Sequence, residues 1–158
     1  MSSSDENHLH DGRPREWYGD GVEFRCLGPE CGECCSGKHG PGAVWVDVAE
    51  MQAIAEHLRM PFDEFTTTFV RLVDGQYSLV EKPNFDCAFY EAGKGCTVYN
   101  ARPRQCRTFP FWGRILRSRR SWEESARCCP GINDPRGVVP AEEIQKHLAE
   151  DRLRPREE

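Results

Sequence analysis

Nine cysteines in 158 residues constrain this chain more than any other feature. Four of them, Cys26, Cys31, Cys34 and Cys35, form a C-x4-C-x2-C-C group. Gly28, Gly32 and Gly37 lie beside them and supply the backbone freedom a ligand loop needs to fold around an ion. A C-x2-C step sets two sulfurs on one side of a metal, and zinc and iron both favour tetrahedral thiolate coordination. The adjacent Cys34 and Cys35 project in different directions, so they do not act as two simple terminal ligands of one ion. One of them serves a second metal, bridges, or stays free.

The other five, Cys87, Cys96, Cys106, Cys128 and Cys129, are spread over the second half. Together with the first group, eight thiolates would fill two four-sulfur sites, or two clusters, and leave one cysteine over. The competing reading is that some of the five are small buried hydrophobes. Composition favours cross-links. Only 38% of residues are hydrophobic, 30% are charged, and 14 Gly with 11 Pro imply many turns, so packing alone leaves such a chain marginally stable. Met1 to Glu16 shows no apolar leader segment, and no apolar run approaches the roughly 20 residues that span a bilayer. A cytoplasmic location is therefore expected, with no membrane partner. In a reducing compartment clustered cysteines serve as metal ligands or redox groups more often than as disulfides, and an odd count fits a disulfide framework poorly.

The expected fold class is α+β: a small irregular single domain with short helices and a small antiparallel hairpin or sheet, stapled by cysteine–metal sites. Residues 1–16 and 152–158 are charged and aperiodic and read as flexible tails around a domain at 17–151. Short strands are expected at Glu23 to Cys26 and Val44 to Val46. Asp47 with Glu50 reads as a capping box opening a helix whose apolar face is Ala49, Ala53, Ile54 and Leu58. A second helix is expected from Asp63, packing Phe62, Phe65, Phe69, Val70 and Val73 until the Asp74-Gly75 turn. Gln76 to Glu81 reads as a strand, and Cys87 to Tyr90 with Cys96 to Tyr99 as a hairpin around Gly93-Lys94-Gly95. A helical turn after Arg102-Pro103 would carry Cys106, and Pro140 to Leu153 reads as a C-terminal helix.

Two separated stretches carry a family resemblance. The first is Phe24-Arg25-Cys26 through Cys31-Gly32-Glu33-Cys34-Cys35-Ser36-Gly37. The second is Cys87-x8-Cys96-Thr97-Val98-Tyr99 followed by Arg102-Pro103-x2-Cys106-Arg107-x-Phe109-Pro110-Phe111, with a closing Cys129-Pro130-Gly131. In these the chain resembles the CxxCxxCC cysteine-cluster family, described as zinc- or iron-chelating, over roughly residues 24 to 131. The resemblance implies metal chelation by an intracellular bacterial protein, related to the cysteine-rich module of flagellin lysine methylases. It makes Cys128 the spare cysteine, and the implied metal ligands are Cys26, Cys31, Cys34, Cys35, Cys87, Cys96, Cys106 and Cys129. The cofactor expected is zinc or an iron–sulfur cluster. One departure is visible: four residues separate Cys26 from Cys31, where the family's name pattern has two.

Arg102, Arg104, Arg107, Arg114, Arg117, Arg119 and Arg120 crowd a segment without acidic residues, although the whole chain stands at −5. With Phe109, Phe111, Trp112 and Trp122 nearby they outline a conceivable nucleic-acid surface, but the acidic pI of about 5.6 and the absence of a binding motif count against it. The alternative is that guanidinium groups offset thiolate charge, with Arg107 beside Cys106 as the first candidate. His39 could substitute for a cysteine as ligand, but a lone histidine in a Gly-rich loop is more often solvated; Tyr99 could hydrogen-bond near the site, but as a hairpin strand residue it is expected to pack. No phosphate loop, G-x-S-x-G, H-E-x-x-H or C-x3-C-x2-C motif occurs. No catalytic residue is identified, and any enzyme reading rests on the metal. The functional expectation is a metal-binding module drawing thiolates from both halves. Its alternatives are an iron–sulfur redox enzyme or electron carrier, and a zinc-scaffolded nucleic-acid or protein-interaction module.

Overall fold

The capping box forms as its residues dictate. In the computed structural model of the chain, which describes residues 16–28, 31–37 and 40–152, the Asp47 side chain accepts from the Glu50 N–H and the Glu50 carboxylate accepts from the Asp47 N–H, each at 2.8 Å. Two otherwise orphaned donors are thereby satisfied and α1 (Val48–His57) begins. Its buried face is Met51, Ile54 and Ala55, whereas Ala49 and Ala53 are exposed. The stripe is rotated from the expected one because Met51, with more apolar area to bury than alanine, takes the inner position.

Helix α2 (Phe62–Phe69) stops earlier than its apolar pattern suggests. Val70 to Val73 leaves the helix as strand β2 (Val70–Val73) and pairs antiparallel with β3 (Gln76–Leu79). The two-residue loop explains why. Asp74 and Gly75 both adopt positive φ, +49° and +79°, which is the backbone twist a two-residue hairpin requires. Val46 and Leu79 extend the arrangement on the other side of β3, the Val46 N–H donating to Tyr77 O and the Leu79 N–H to Val44 O.

The cysteine hairpin is shorter than expected. It pairs β4 (Tyr90–Glu91) with β5 (Gly95–Cys96), matching Tyr90 with Cys96, while Cys87 bridges Glu81 and Tyr99 opens a 3-10 turn at Tyr99–Ala101. Helix α3 (Arg104–Thr108) carries Cys106, and α4 (Gly113–Leu116) and α5 (Arg119–Ser125) follow. The N-terminal β1 (Val22–Glu23) pairs with the distant β6 (Val138–Val139), after which α6 (Ala141–Arg152) completes the described chain. The α+β class stands. Of the expected tails, residues 1–15 and 153–158 lie outside the described residues, as does His39.

Two apolar clusters organise these elements. One gathers Val46, Met51, Ile54, Ala55, Phe65, Leu79, Phe89 and Val98 from the middle of the chain. The other gathers Tyr18, Val22, Phe111, Trp112, Ile115, Leu116, Trp122, Ile132 and Ile144 from its two ends. Gln105 ties them. Its buried side chain accepts from the Trp45 N–H and donates to Ala43 O, while its own carbonyl accepts from the Trp112 indole at 3.0 Å.

Candidate metal centre

All nine cysteines line one cavity of about 60 Å³. It sits between the two apolar clusters: Cys87 and Cys96 pack against the first, Cys129 against the second. Its apolar wall is drawn from both, with Leu79, Phe89 and Val98 on one side and Phe24 and Phe109 on the other. Residues separated by up to about a hundred positions are therefore brought to one place by contacts that can be named.

The strand before Cys26 is fixed to the loop after Cys129. The Phe24 N–H donates to Gly137 O, the Arg25 N–H to Gly131 O, and the Asn133 N–H to Glu23 O. A side chain at Gly131 would place its Cβ 2.0 Å from Arg25 O, so only glycine allows this approach. The loop itself is braced by Arg136, whose guanidinium grips the buried Asp134 carboxylate and holds it down to about 2.

The Cys31 to Cys35 loop is docked on the cysteine hairpin. The Cys87 N–H donates to Cys35 O at 2.8 Å and the Gly37 N–H to the Asp86 carboxylate at 2.6 Å. A Cβ on Gly37 would lie 2.2 Å from Asn84 O. Gly32, at φ +62°, rests against the Tyr90 ring of β4. Cys106 comes in on α3, whose first turn is held when the Arg104 N–H donates to the Glu50 carboxylate that also caps α1.

Within the cavity the thiols interact with one another. The Cys35 thiol hydrogen-bonds both Cys34 and Cys96. Those bonds, against burial, hold Cys34 and Cys96 down to about 7, and the Arg102 charge adds to both. Cys35 is pushed up by the same pair of bonds. Burial raises Cys87, raises Cys106 strongly, and lifts Cys129 to about 11. Cys26, at the exposed edge, shares a hydrogen bond of 3.2 Å with the Tyr99 hydroxyl.

Arg102 is a cavity-lining side chain that the sequence reading did not single out. It lines the cavity, stacks 3.7 Å above the Tyr99 ring and donates from Nε to Tyr99 O. Arg107, the expected charge partner, turns the other way and pairs with Glu150 at 3.3 Å. The missed signal is the Arg102-Pro103 step: proline starts α3, so the residue before it stays outside the helix and free to reach the sulfurs.

As placed, no three cysteine, histidine or acidic side chains among the described residues close into a ready cage. The donor set itself suits a soft or borderline metal. Nine thiols face the cavity with a single carboxylate, Glu33, so the lining matches zinc and iron and offers little to magnesium or calcium. Neutral thiols must ionise to coordinate, so binding releases protons. Metal affinity is expected to fall as pH falls. The fall should steepen below about pH 7, where Cys34 and Cys96 also hold protons that the metal must displace. Competition with a chelator across a pH series measures this, and a flat profile would contradict it.

Residues 25–147 match the CxxCxxCC family, whose description reads "Putative zinc- or iron-chelating domain". An uncharacterized protein of Methanocaldococcus jannaschii is 30% identical over 95 residues, covering 60% of this chain and 48% of that relative. The chain thus spans about half the length of this curated relative. No solved structure matches. The matched region runs from Arg25, just before Cys26, into α6, takes in all nine cysteines, the whole of the first apolar cluster and most of the second, and shows that the chain belongs to the CxxCxxCC zinc- or iron-chelating family.

Proposed function

We propose that this domain holds zinc or iron through cysteine thiolates drawn from both halves of the chain, and that the bound metal fastens the two apolar clusters together. The observation that carries the reading is the convergence of all nine cysteines on one cavity between those clusters. Cysteines that served only as small core residues would be distributed through both clusters. Instead three of the nine, Cys26, Cys34 and Cys128, are exposed and none is fully buried.

The surrounding side chains fit the same reading. An all-thiolate site carries negative charge, and Arg102 faces it while Tyr99 hydrogen-bonds its edge. Five of the six other arginines of the basic segment have local partners: Arg104 pairs with Asp47, Arg107 with Glu150 and Arg120 with Glu124, and Arg114 and Arg119 lie over the faces of Trp112 and Trp17. That commitment favours a structural use of the segment over a phosphate-binding one.

Protein purified without air is expected to contain zinc or iron by elemental analysis. A colourless zinc protein supports a structural or storage site, whereas iron with acid-labile sulfide and visible absorption supports an electron carrier. Protein that contains neither metal, and binds neither when offered it, would overturn the proposal. Arg102→Gln is expected to weaken metal affinity by on the order of 10-fold, the lower end of what outer-shell partners contribute. Arg107→Gln should leave it unchanged, because that side chain serves Glu150. Both are read by competition with a chromophoric chelator.

A further inference from the structure

Cys26 is held from a distance. Four residues separate it from Cys31, and Gly28 among them sits at φ +93°, so its own loop gives it slack rather than a fixed place. It is exposed at the edge of the cavity that it lines. Its sulfur nevertheless has a defined partner in the Tyr99 hydroxyl, 3.2 Å away and 73 positions along the chain. Tyr99 is itself firmly placed. It opens the 3-10 turn at Tyr99–Ala101, and Val98 before it and Ala101 after it both pack in the first apolar cluster. Arg102 closes on it twice: its guanidinium lies 3.7 Å from the centre of the Tyr99 ring, and its Nε–H donates to Tyr99 O at 2.9 Å. One side chain thus grips both ring and carbonyl, and the positive charge over the ring face makes the phenol O–H a stronger donor.

We infer that Tyr99, clamped by Arg102, is a positioning residue that holds Cys26 in place as a thiolate ligand of the metal. The inference rests on the thiolate reading above and adds how the edge cysteine is recruited to it. While Cys26 is a neutral thiol, either atom of the pair can donate. Once Cys26 coordinates, its proton has gone to solvent and the sulfur only accepts, so the Tyr99 hydroxyl donates. That bond draws part of the thiolate charge toward the phenol and fixes the direction in which the sulfur points, as outer-shell partners do for metal ligands in general. It also accounts for the spacing. A spacer longer than that of the family's name pattern is tolerated at Cys26 because the anchor comes from the other half of the chain and not from the loop.

The test uses the full chain, reduced and loaded with cobalt(II), whose sulfur-to-metal charge-transfer bands report on the bound thiolates. Tyr99→Phe keeps the ring under Arg102 and removes the hydroxyl alone. It is expected to lower cobalt affinity by about 10-fold, the lower end for an outer-shell partner. The charge-transfer band should also move to longer wavelength, because a thiolate without its hydrogen bond gives up electron density more readily. Cys26→Ala should weaken that band, and adding Tyr99→Phe to Cys26→Ala should change neither affinity nor spectrum further. A Tyr99→Phe variant with the parent's affinity and spectrum would overturn the inference. So would an equal fold loss with and without Cys26, which would place Tyr99 in packing, or a Cys26→Ala spectrum identical to the parent's, which would remove Cys26 from the ligands. Thiolate binding itself survives all three of these results. Failure of the parent chain to bind cobalt, zinc or iron would instead overturn the wider proposal.

Discussion

Removing the metal under anaerobic conditions is expected to unfold this domain. Each structural zinc bound by thiolates contributes on the order of 10–16 kcal/mol in small domains at neutral pH, which matches or exceeds the roughly 5–15 kcal/mol that separates a typical folded domain from its unfolded chain. The architecture makes this chain dependent on that contribution. Each apolar cluster is small, the described sheets are two-stranded, and the cysteine cavity lies between the clusters. Without a metal ion, several half-buried thiols remain there with Arg102 as the one basic side chain lining the cavity, too little charge to neutralise them if they ionise. Chelator addition should therefore redden the emission of the buried Trp45, Trp112 and Trp122 and abolish a cooperative thermal transition. Re-addition of metal under reducing conditions should restore both. An unchanged transition in metal-free protein would show that the clusters cohere unaided.

Trp122→Ala should be the most damaging single substitution away from sulfur. Trp122 is 1% exposed and stacks on Phe111 at 5.8 Å, with Trp17 and Phe24 against its other edges. Its indole N–H donates to the Asn133 side chain at 3.2 Å. Truncation removes that whole contact set and leaves a cavity, so a loss of about 3–5 kcal/mol is expected by chemical denaturation of metal-loaded protein. The effect should reach the metal. Phe24 forms part of the cavity wall, and its backbone is bonded to the loop that follows Cys129. The variant should thus lose metal to a chelator more readily than the parent. Trp122→Phe keeps most of the apolar contact and should cost less than half as much; equal losses would place the effect in the Asn133 bond rather than in packing.

What could be read from the sequence was local. The Asp47 and Glu50 box needs only residues three apart, and its geometry follows from side-chain reach. The placement of Cys106 on a helical turn after Pro103 follows equally from the fixed backbone of proline. The end of α2 was not legible, because Val70 and Val73 continue an apolar helical pattern as well as they begin a strand. The decision comes from pairing with Gln76 to Leu79 across the Asp74-Gly75 turn. The candidate site shows the same division. Cysteine identity announced the chemistry, but that the two sets line one cavity depends on bonds such as Cys87 N–H to Cys35 O and Arg25 N–H to Gly131 O. Arg107 was chosen because it adjoins Cys106 in sequence; Arg102 is the one beside the sulfurs in space. The Tyr99 bond to Cys26 spans 73 positions and has no local signature.

The central claim is that sulfur holds the metal. X-ray absorption at the metal edge of anaerobically purified protein tests it directly, whether the metal is zinc or iron. The expected result is a first coordination shell of sulfur alone, at about 2.3 Å. A first shell dominated by oxygen or nitrogen near 2.0–2.1 Å would contradict the account, because the cavity that gathers nine thiols would then not be where the metal resides.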